Sequence, residues 1–412
     1  MRVWLNELLL VVSTALDYVE KELLGITTNH GKRVAYVSVR LCRALGCSTS
    51  ERSDMAGCAI LHDNALTEYM LISSPMDLQT LEQFETHCWI GERNARVFPF
   101  AGNIENIILE HHENWDGSGF HGLQGAAIPL RSTVLRLADN MDLDLALGTP
   151  RPSLEREIRE HVQKHAGTLY APHVVEALLG ILDTVFLRAL ADERIDQSLR
   201  EETPTLNIEL TAGKLLDLCE LFSQIIDAKS PFTRNHSTGV ADLAGQVAPY
   251  FGIEGEQKDQ LIIAGYLHDL GKLSVPLALL DKVGPLTKEE FAVMRRHAEG
   301  TGQLLSMVHG LGQIPQWCEE HHEKCNGSGY PRGLRQPRLA FESQIIAACD
   351  VYQALTEDRP YRDGMTSREA LSVIEEMAAK GELNPDIVDK ITVLVLSRED
   401  GTPAHAAKDP GG

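Results

Sequence analysis

No two of the eight cysteines stand at C-x-x-C spacing: Cys42, Cys47, Cys58, Cys88, Cys219, Cys318, Cys325 and Cys349 are scattered, most of them within apolar stretches. They read as small buried hydrophobes, reduced thiols in a cytoplasmic protein. Long apolar runs are missing too. The opening segment 8–12 is short and flanked by Asn6, Glu7 and Asp17, so it is expected neither to span a membrane nor to act as a signal peptide. Basic residues are scarce: 38 Lys plus Arg face 59 Asp plus Glu, for a net charge of -21 and a pI near 5.2. Such a surface repels long polyanions, which disfavours broad nucleic-acid or anionic-membrane binding. A small anionic ligand stays open, because a metal or a few basic side chains can reverse the local potential. Strand-like alternation is absent over any useful length.

What is present is ordinary globular usage, 43% apolar and 24% charged residues, over 412 residues, enough for two or three domains. Sixteen histidines stand out, and they fall in an internal repeat. Asn29-His30 recurs as Asn235-His236, and Leu61-His62-Asp63 as Leu267-His268-Asp269, both at an offset of 206. His87 matches His297, His111-His112-Glu113 matches His321-His322-Glu323, and Gly117-Ser118-Gly119 matches Gly327-Ser328-Gly329, all at 210. Asp139 matches Asp350 at 211. Ordered polar matches with so little drift make the chain two copies of one domain.

The local pattern is helical almost throughout. Leu8, Val11, Val12, Leu16 and Val19 in the first copy, and Leu215, Leu218, Leu221, Phe222, Ile225 and Ile226 in the second, recur at three and four residues. The fold class expected is therefore all-α, as two tandem helical bundles. The charged stretch 192–204 is expected to be the linker, so the domains are residues 1–191 and 205–396, with 397–412 a disordered polar tail.

Five His and two Asp per copy could converge on a two-metal site with one carboxylate bridging the ions. Neutral imidazoles with few carboxylates suit Fe, Mn or Zn better than Mg or Ca. One isolated His is usually a core or surface residue; a whole set repeated in order favours ligands.

The second copy carries HDLGK (His268 to Lys272), MRRHAEGTG around His297, HHEKCNGSGYP (His321 to Pro331) and DVYQALTEDRPYR (Asp350 to Arg362). These motifs resemble the HD-GYP domain, a subgroup of the HD metal-dependent phosphohydrolases associated with hydrolysis of cyclic dinucleotides, chiefly cyclic di-GMP. The resemblance implies two HD-type domains, the first in degenerate form. It implies that His236, His268, Asp269 and Asp350 hold one ion and that Asp269, His297, His321 and His322 hold the other, with Asp269 bridging. A hydroxide between two divalent ions, Fe or Mn, would attack phosphorus, giving linear dinucleotide and then GMP. Asp269 and Lys272 would serve catalysis; Lys272, Tyr330, Arg359 and Arg362 would contact substrate. Against this stand plainer readings: Arg359 and Arg362 in ion pairs with Glu357 or Asp358, and Gly329-Tyr330-Pro331 as a turn with a packed aromatic.

Two departures qualify the match. Three-metal members carry Glu four residues before the first His, where this sequence has Phe232, so two ions are expected. Asn326 replaces the usual Asp, which the first copy keeps as Asp116, so the loop is expected to differ in geometry or tuning. The first copy retains His30, His62, Asp63, His87, His111, His112 and Asp139. Yet Lys272 becomes Leu66, Tyr330-Pro331 becomes Phe120-His121, Arg359 falls on Gly148, and Arg151 falls opposite Arg362. It is read as a regulatory and dimerisation module, either holding additional metals or metal-free, with an independent phosphohydrolase as the other reading. Rival functions are a phosphodiesterase preferring cyclic GMP-AMP and a silent dinucleotide receptor. The partners expected are a cyclic dinucleotide, a second copy of the chain and a diguanylate cyclase domain, in the cytoplasm, without long nucleic acid or membrane.

Overall fold

The structure is a computed structural model describing residues 2–24, 28–66, 81–203, 209–230, 235–358 and 363–399. It is all-α: among the described residues the only named strands are Val3–Trp4 and Glu209–Leu210. Contacts divide the chain into one unit of Trp4–Glu209 and another of Leu210–Gly412 with Met1–Val3.

In the first unit the helices Leu5–Leu24, His30–Ala44, Thr49–Ile60, Leu81–Ala95 and Leu130–Leu145 form the frame, with shorter helices following. In the second, Ala212–Asp227, His236–Val247, Gly255–Leu267, Arg296–Leu305 and Phe341–Thr356 follow the same order. The apolar stripes read from sequence face inward: Leu8, Val11, Leu16, Leu215, Leu218 and Phe222 are all at most 3% exposed. Each such burial contributes about 1.5–3 kcal/mol. Caps set the helix starts. Ser48 with Glu51, Thr287 with Glu290 and Thr366 with Glu369 form reciprocal capping boxes.

The stretch expected as the linker is described through residue 203 and is largely helical. Ile195–Glu202 is helical, with Ile195 and Leu199 buried, and it packs on His30–Ala44 within the first unit because its apolar residues fall four apart on one face. Ser397 and Arg398 continue the helix Pro385–Glu399, and residues 400–412 lie outside the described residues.

Candidate metal centre

In both copies the first histidine opens a helix directly after an asparagine in the left-handed region, Asn29 at φ 65 and Asn235 at φ 71. Asn tolerates that conformation better than most residues, which accounts for the repeated Asn-His pair. His236 begins the helix His236–Val247. His268 and Asp269 stand where Gly255–Leu267 gives way to the tight turn Leu270–Ser274, so the break in the helix, rather than its regular face, aims both inward. Gly271 makes this turn fit, since a Cβ there would lie 2.1 Å from the His297 carbonyl oxygen.

The seven candidate ligands of the second copy converge. Asp269 divides its carboxylate: Oδ2 lies 3.6 Å from His236 Nε2 and 3.2 Å from His268 Nε2, while Oδ1 lies 3.4 Å from His297 Nε2 and 3.7 Å from His321 Nε2. Asp350 Oδ1 lies 3.1 Å from His236 Nε2, and its Oδ2 3.6 Å from His322 Nδ1. Donors on bonds of about 2.1 Å around one cation sit roughly 3 to 3.5 Å apart, close to these spacings.

The other ring nitrogens are already engaged. Nδ1 of His268, His297 and His321 meets the carbonyls of Gly265, Met294 and Cys318 at 2.7, 2.6 and 2.5 Å, which leaves each Nε2 as the inward lone pair. His236 Nδ1 meets Glu357 Oε2 at 3.1 Å. The inward atoms His236 Nε2, His268 Nε2 and Asp269 Oδ1 are buried without a well-formed hydrogen bond. Leaving such groups unsatisfied costs about 1–3 kcal/mol each, and divalent cations on the two sides of Asp269 would satisfy all three. The residues fit a metal.

Electrostatics agree with that fit. Burial favours a neutral Asp269, but His268 and Lys272 beside it hold its carboxyl well below the usual range. Burial likewise works against a charged His236, yet Asp350 and Glu357 raise it to about 10. Burial and neighbouring imidazoles hold His321 well below its ordinary value. Lys272 Nζ contacts Asp269 Oδ2 directly. Lys272 therefore pairs with the Asp269 carboxylate in this structure, instead of projecting free toward a phosphate.

A cavity of about 900 Å³ opens over the cluster, lined by His236, Lys272, His297, His322, Tyr330 and Asp350 among others. The Tyr330 ring lies 4.7 Å from that of His322, with the Arg295 guanidinium 5.0 Å from its centroid, so this tyrosine is part of the cavity wall. Arg359, Arg362 and Phe232 lie outside the described residues. Asn326 Oδ1 accepts from Ser328 N at 2.9 Å, as Asp116 Oδ1 accepts from Ser118 N at 3.0 Å. This turn contact is shared, because it uses a carbonyl-type oxygen and not the charge, while Asn326 Nδ2 also donates to the Lys380 carbonyl at 3.4 Å.

The first copy assembles its seven residues likewise. His30 Nε2 and His62 Nε2 lie 3.3 and 3.6 Å from Asp139 Oδ1. Asp63 Oδ2 lies 3.4 Å from His62 Nε2, and its Oδ1 3.4 Å from His87 Nε2. His111 Nδ1 meets Ile108 O at 2.6 Å, and His112 Nδ1 takes a hydrogen bond from Arg136 at 3.0 Å. The phosphate-side positions serve structure instead. Leu66 is buried, Gly148 packs against Arg33, and Arg151 donates to Glu157 and to the Leu145 carbonyl. His121 is held between Glu110 at 2.6 Å and Glu85 at 3.1 Å.

Sequence reasoning missed several contributors. His30 Nδ1 contacts Asp142 Oδ2 at 2.7 Å, and the fully buried Arg33 binds Asp142 and, at 2.6 Å, Asp192. Glu357 plays the part of Asp142 in the second copy. Cys88, expected to be a plain buried hydrophobe, stands among His87, His111 and His112.

Residues 19–173 and 220–387 match the HD domain family. Over 376 residues, 88% of this chain and 86% of the relative, the sequence is 28% identical to the 3'3'-cGAMP-specific phosphodiesterase 1 of Vibrio cholerae. Over 181 residues, 43% of each protein, it is 34% identical to a cyclic di-GMP phosphodiesterase of Pseudomonas aeruginosa. The crystal structure of a cyclic GMP-AMP specific phosphodiesterase of V. cholerae (V-cGAP3) is similar at a TM-score of 0.69 and 25% identity, covering 96% of this chain and 98% of that one. No described helix is long and apolar enough to cross a membrane. With the repeat, the paired clusters and a family match in each half, the chain belongs to the HD domain family and carries that domain twice, the second copy with the HD-GYP motifs.

Proposed function

We propose that the second domain is a phosphodiesterase that opens a cyclic dinucleotide by hydrolysis of one phosphodiester bond, using two divalent ions, Fe or Mn. The observation that carries this reading is the division of Asp269: one oxygen faces His236 and His268, the other His297 and His321, behind His236, His297 and His322, which line a cavity of about 900 Å³. That volume suits a ligand of several hundred daltons. The ions would supply Lewis acidity and an activated water. The chain does the rest. Glu357 and the carbonyls of Gly265, Met294 and Cys318 fix the imidazoles so that their lone pairs face inward. Tyr330 offers an aromatic wall against which a base can stack.

Between substrates, 3'3'-cGAMP is favoured over the cyclic di-GMP expected from the motifs. The relative that is similar along both domains is named for cGAMP, whereas the cyclic di-GMP relative is similar over less than half the chain. The first domain is read as a metal-holding regulatory module. It keeps the ligands but has Leu66 and Phe120-His121 where the second has Lys272 and Tyr330-Pro331.

The test is turnover of the two dinucleotides, side by side, by full-length protein loaded with Mn or Fe(II). Linear product from cGAMP at the higher kcat/KM supports the proposal; preference for cyclic di-GMP overturns the substrate assignment. Tight binding without turnover by a metal-replete sample would make the domain a receptor.

A further inference from the structure

The first cluster differs from the second by two donors that the second lacks. Cys88 follows His87, and its Sγ lies 3.6 Å from His87 Nε2. The candidate donor atoms of His87, Cys88, His111 and His112 all lie within 4.8 Å of one another, and Cys88 is 0% exposed. At the same register, one residue past His297, the second domain has Ala298. Glu20 is the other addition. Its carboxylate is 2% exposed, interacts electrostatically with His30, His62 and Asp63, and has an Oε2 without a hydrogen-bond partner. The second domain places Ile226 there, where it lines the substrate cavity. In both cases an apolar side chain beside the hydrolytic cluster is replaced by a metal-binding group.

We propose that the first domain holds a thiolate-containing metal centre with a carboxylate donor that the second domain lacks. Cys88, His87, His111 and Asp63 Oδ1 bind one ion, and Glu20 joins His30, His62, Asp139 and Asp63 Oδ2 on the other. The inference rests on metal occupying the first cluster, as read above. His112 belongs to the same group, but its Nδ1 is taken by Arg136, a residue whose counterpart in the second domain is Ala347. The thiol therefore stands in where an imidazole is diverted. It loses its proton on binding the ion, and one proton is released to solvent. Thiolate with imidazole and carboxylate selects zinc or iron over magnesium and calcium. Hydrolytic sites keep a coordination position open for water or substrate, and closed sites are structural or regulatory. Cys88 takes the place of His112, while Glu20 is a donor beyond those of the second domain, and a fuller shell leaves less room for water or substrate, which explains how a domain can keep the donors of the hydrolytic cluster without being a second hydrolase.

The test uses the full chain reconstituted with cobalt(II), read by cobalt content and by the near-ultraviolet sulfur-to-cobalt charge-transfer band. Wild type should show the band. Cys88→Ala, which installs the methyl group the second domain has, should lose it while most cobalt is retained. Cys88→Ser, closer in volume, should lose it too. Glu20→Ile should alter the visible cobalt bands and leave the sulfur band in place. A band that survives Cys88→Ala, or cobalt bound in the first domain with no such band, overturns the proposal. Asp63→Ala separates this failure from that of the underlying reading: if cobalt content does not fall in that variant, the first cluster holds no ion at all.

Discussion

Lys272 Nζ rests on Oδ2 of Asp269, the same oxygen that faces His236 and His268. An ammonium therefore occupies part of the space in which that carboxylate would meet an ion, and it lines the cavity at the same time. Cation binding at Asp269 must weaken this contact and turn Lys272 toward whatever negative charge enters the cavity.

Replacing Lys272 with Leu, the residue the first domain has at position 66, should separate metal binding from turnover. Ion affinity in the second domain should hold or rise, because a competing positive charge is gone. Turnover should fall by about 10²-fold or more if Lys272 meets charge that builds on phosphate. Metal titration and steady-state kinetics on one sample check both.

Glu357 holds the first histidine of the second cluster by its Nδ1. Glu357→Ala should weaken metal affinity by about 10- to 100-fold, the usual cost of losing a carboxylate that orients a ligand imidazole. Competition with a chelator measures it; unchanged affinity would show that the His236 helix alone sets the ring.

Asp142 does for His30 what Glu357 does for His236, yet the two occupy different registers: Asp142 follows Asp139 by three residues, and Glu357 follows Asp350 by seven. Both offsets return to the same helix face, so the repeated contact was invisible to a search for identical positions. The two His/Asp clusters were legible because both copies keep these residues at nearly constant spacing, and the bundles because their apolar stripes recur at three and four. Cys88, Glu20 and Arg33 were not, since each exists in one copy only and comparing copies retains what they share. The contact of Lys272 with Asp269 depends on the tight turn after the helix, which periodicity does not reveal.

Arg33 is 0% exposed and bound to Asp142 and Asp192. Arg33→Met removes one partner and leaves Asp142 buried beside His30, so the first domain should lose about 3 kcal/mol, as broken buried pairs do. Denaturant unfolding of the full chain should show an earlier transition.

In the metal-free protein, burial raises the Glu20 carboxyl from 4.5 to about 8, with Asp17 and Asp63 adding to the effect and His30 and His62 opposing it. The folded state thus holds a proton the unfolded chain gives up. Its stabilising contribution is present below about pH 4.5 and is lost as pH rises through 8. Glu20→Gln should flatten the decline in melting temperature across that window. The decline should not vanish, because His30, held well above its ordinary value by Asp139 and Asp142 against the effect of burial, contributes with the same sign. Divalent metal should restore stability at pH 8 to wild type more than to Glu20→Gln.

The most direct measurement is the rate at which metal-loaded, full-length protein releases linear product from 3'3'-cGAMP, compared with Asp269→Asn, together with the ion content of each. The substitution keeps the side-chain shape but removes the shared negative charge from between the two histidine sets. The account predicts loss of ions from the second domain and a fall in rate of at least about 10³-fold. Turnover by Asp269→Asn at the wild-type rate, or an ion-replete wild type that leaves the dinucleotide intact, would contradict it.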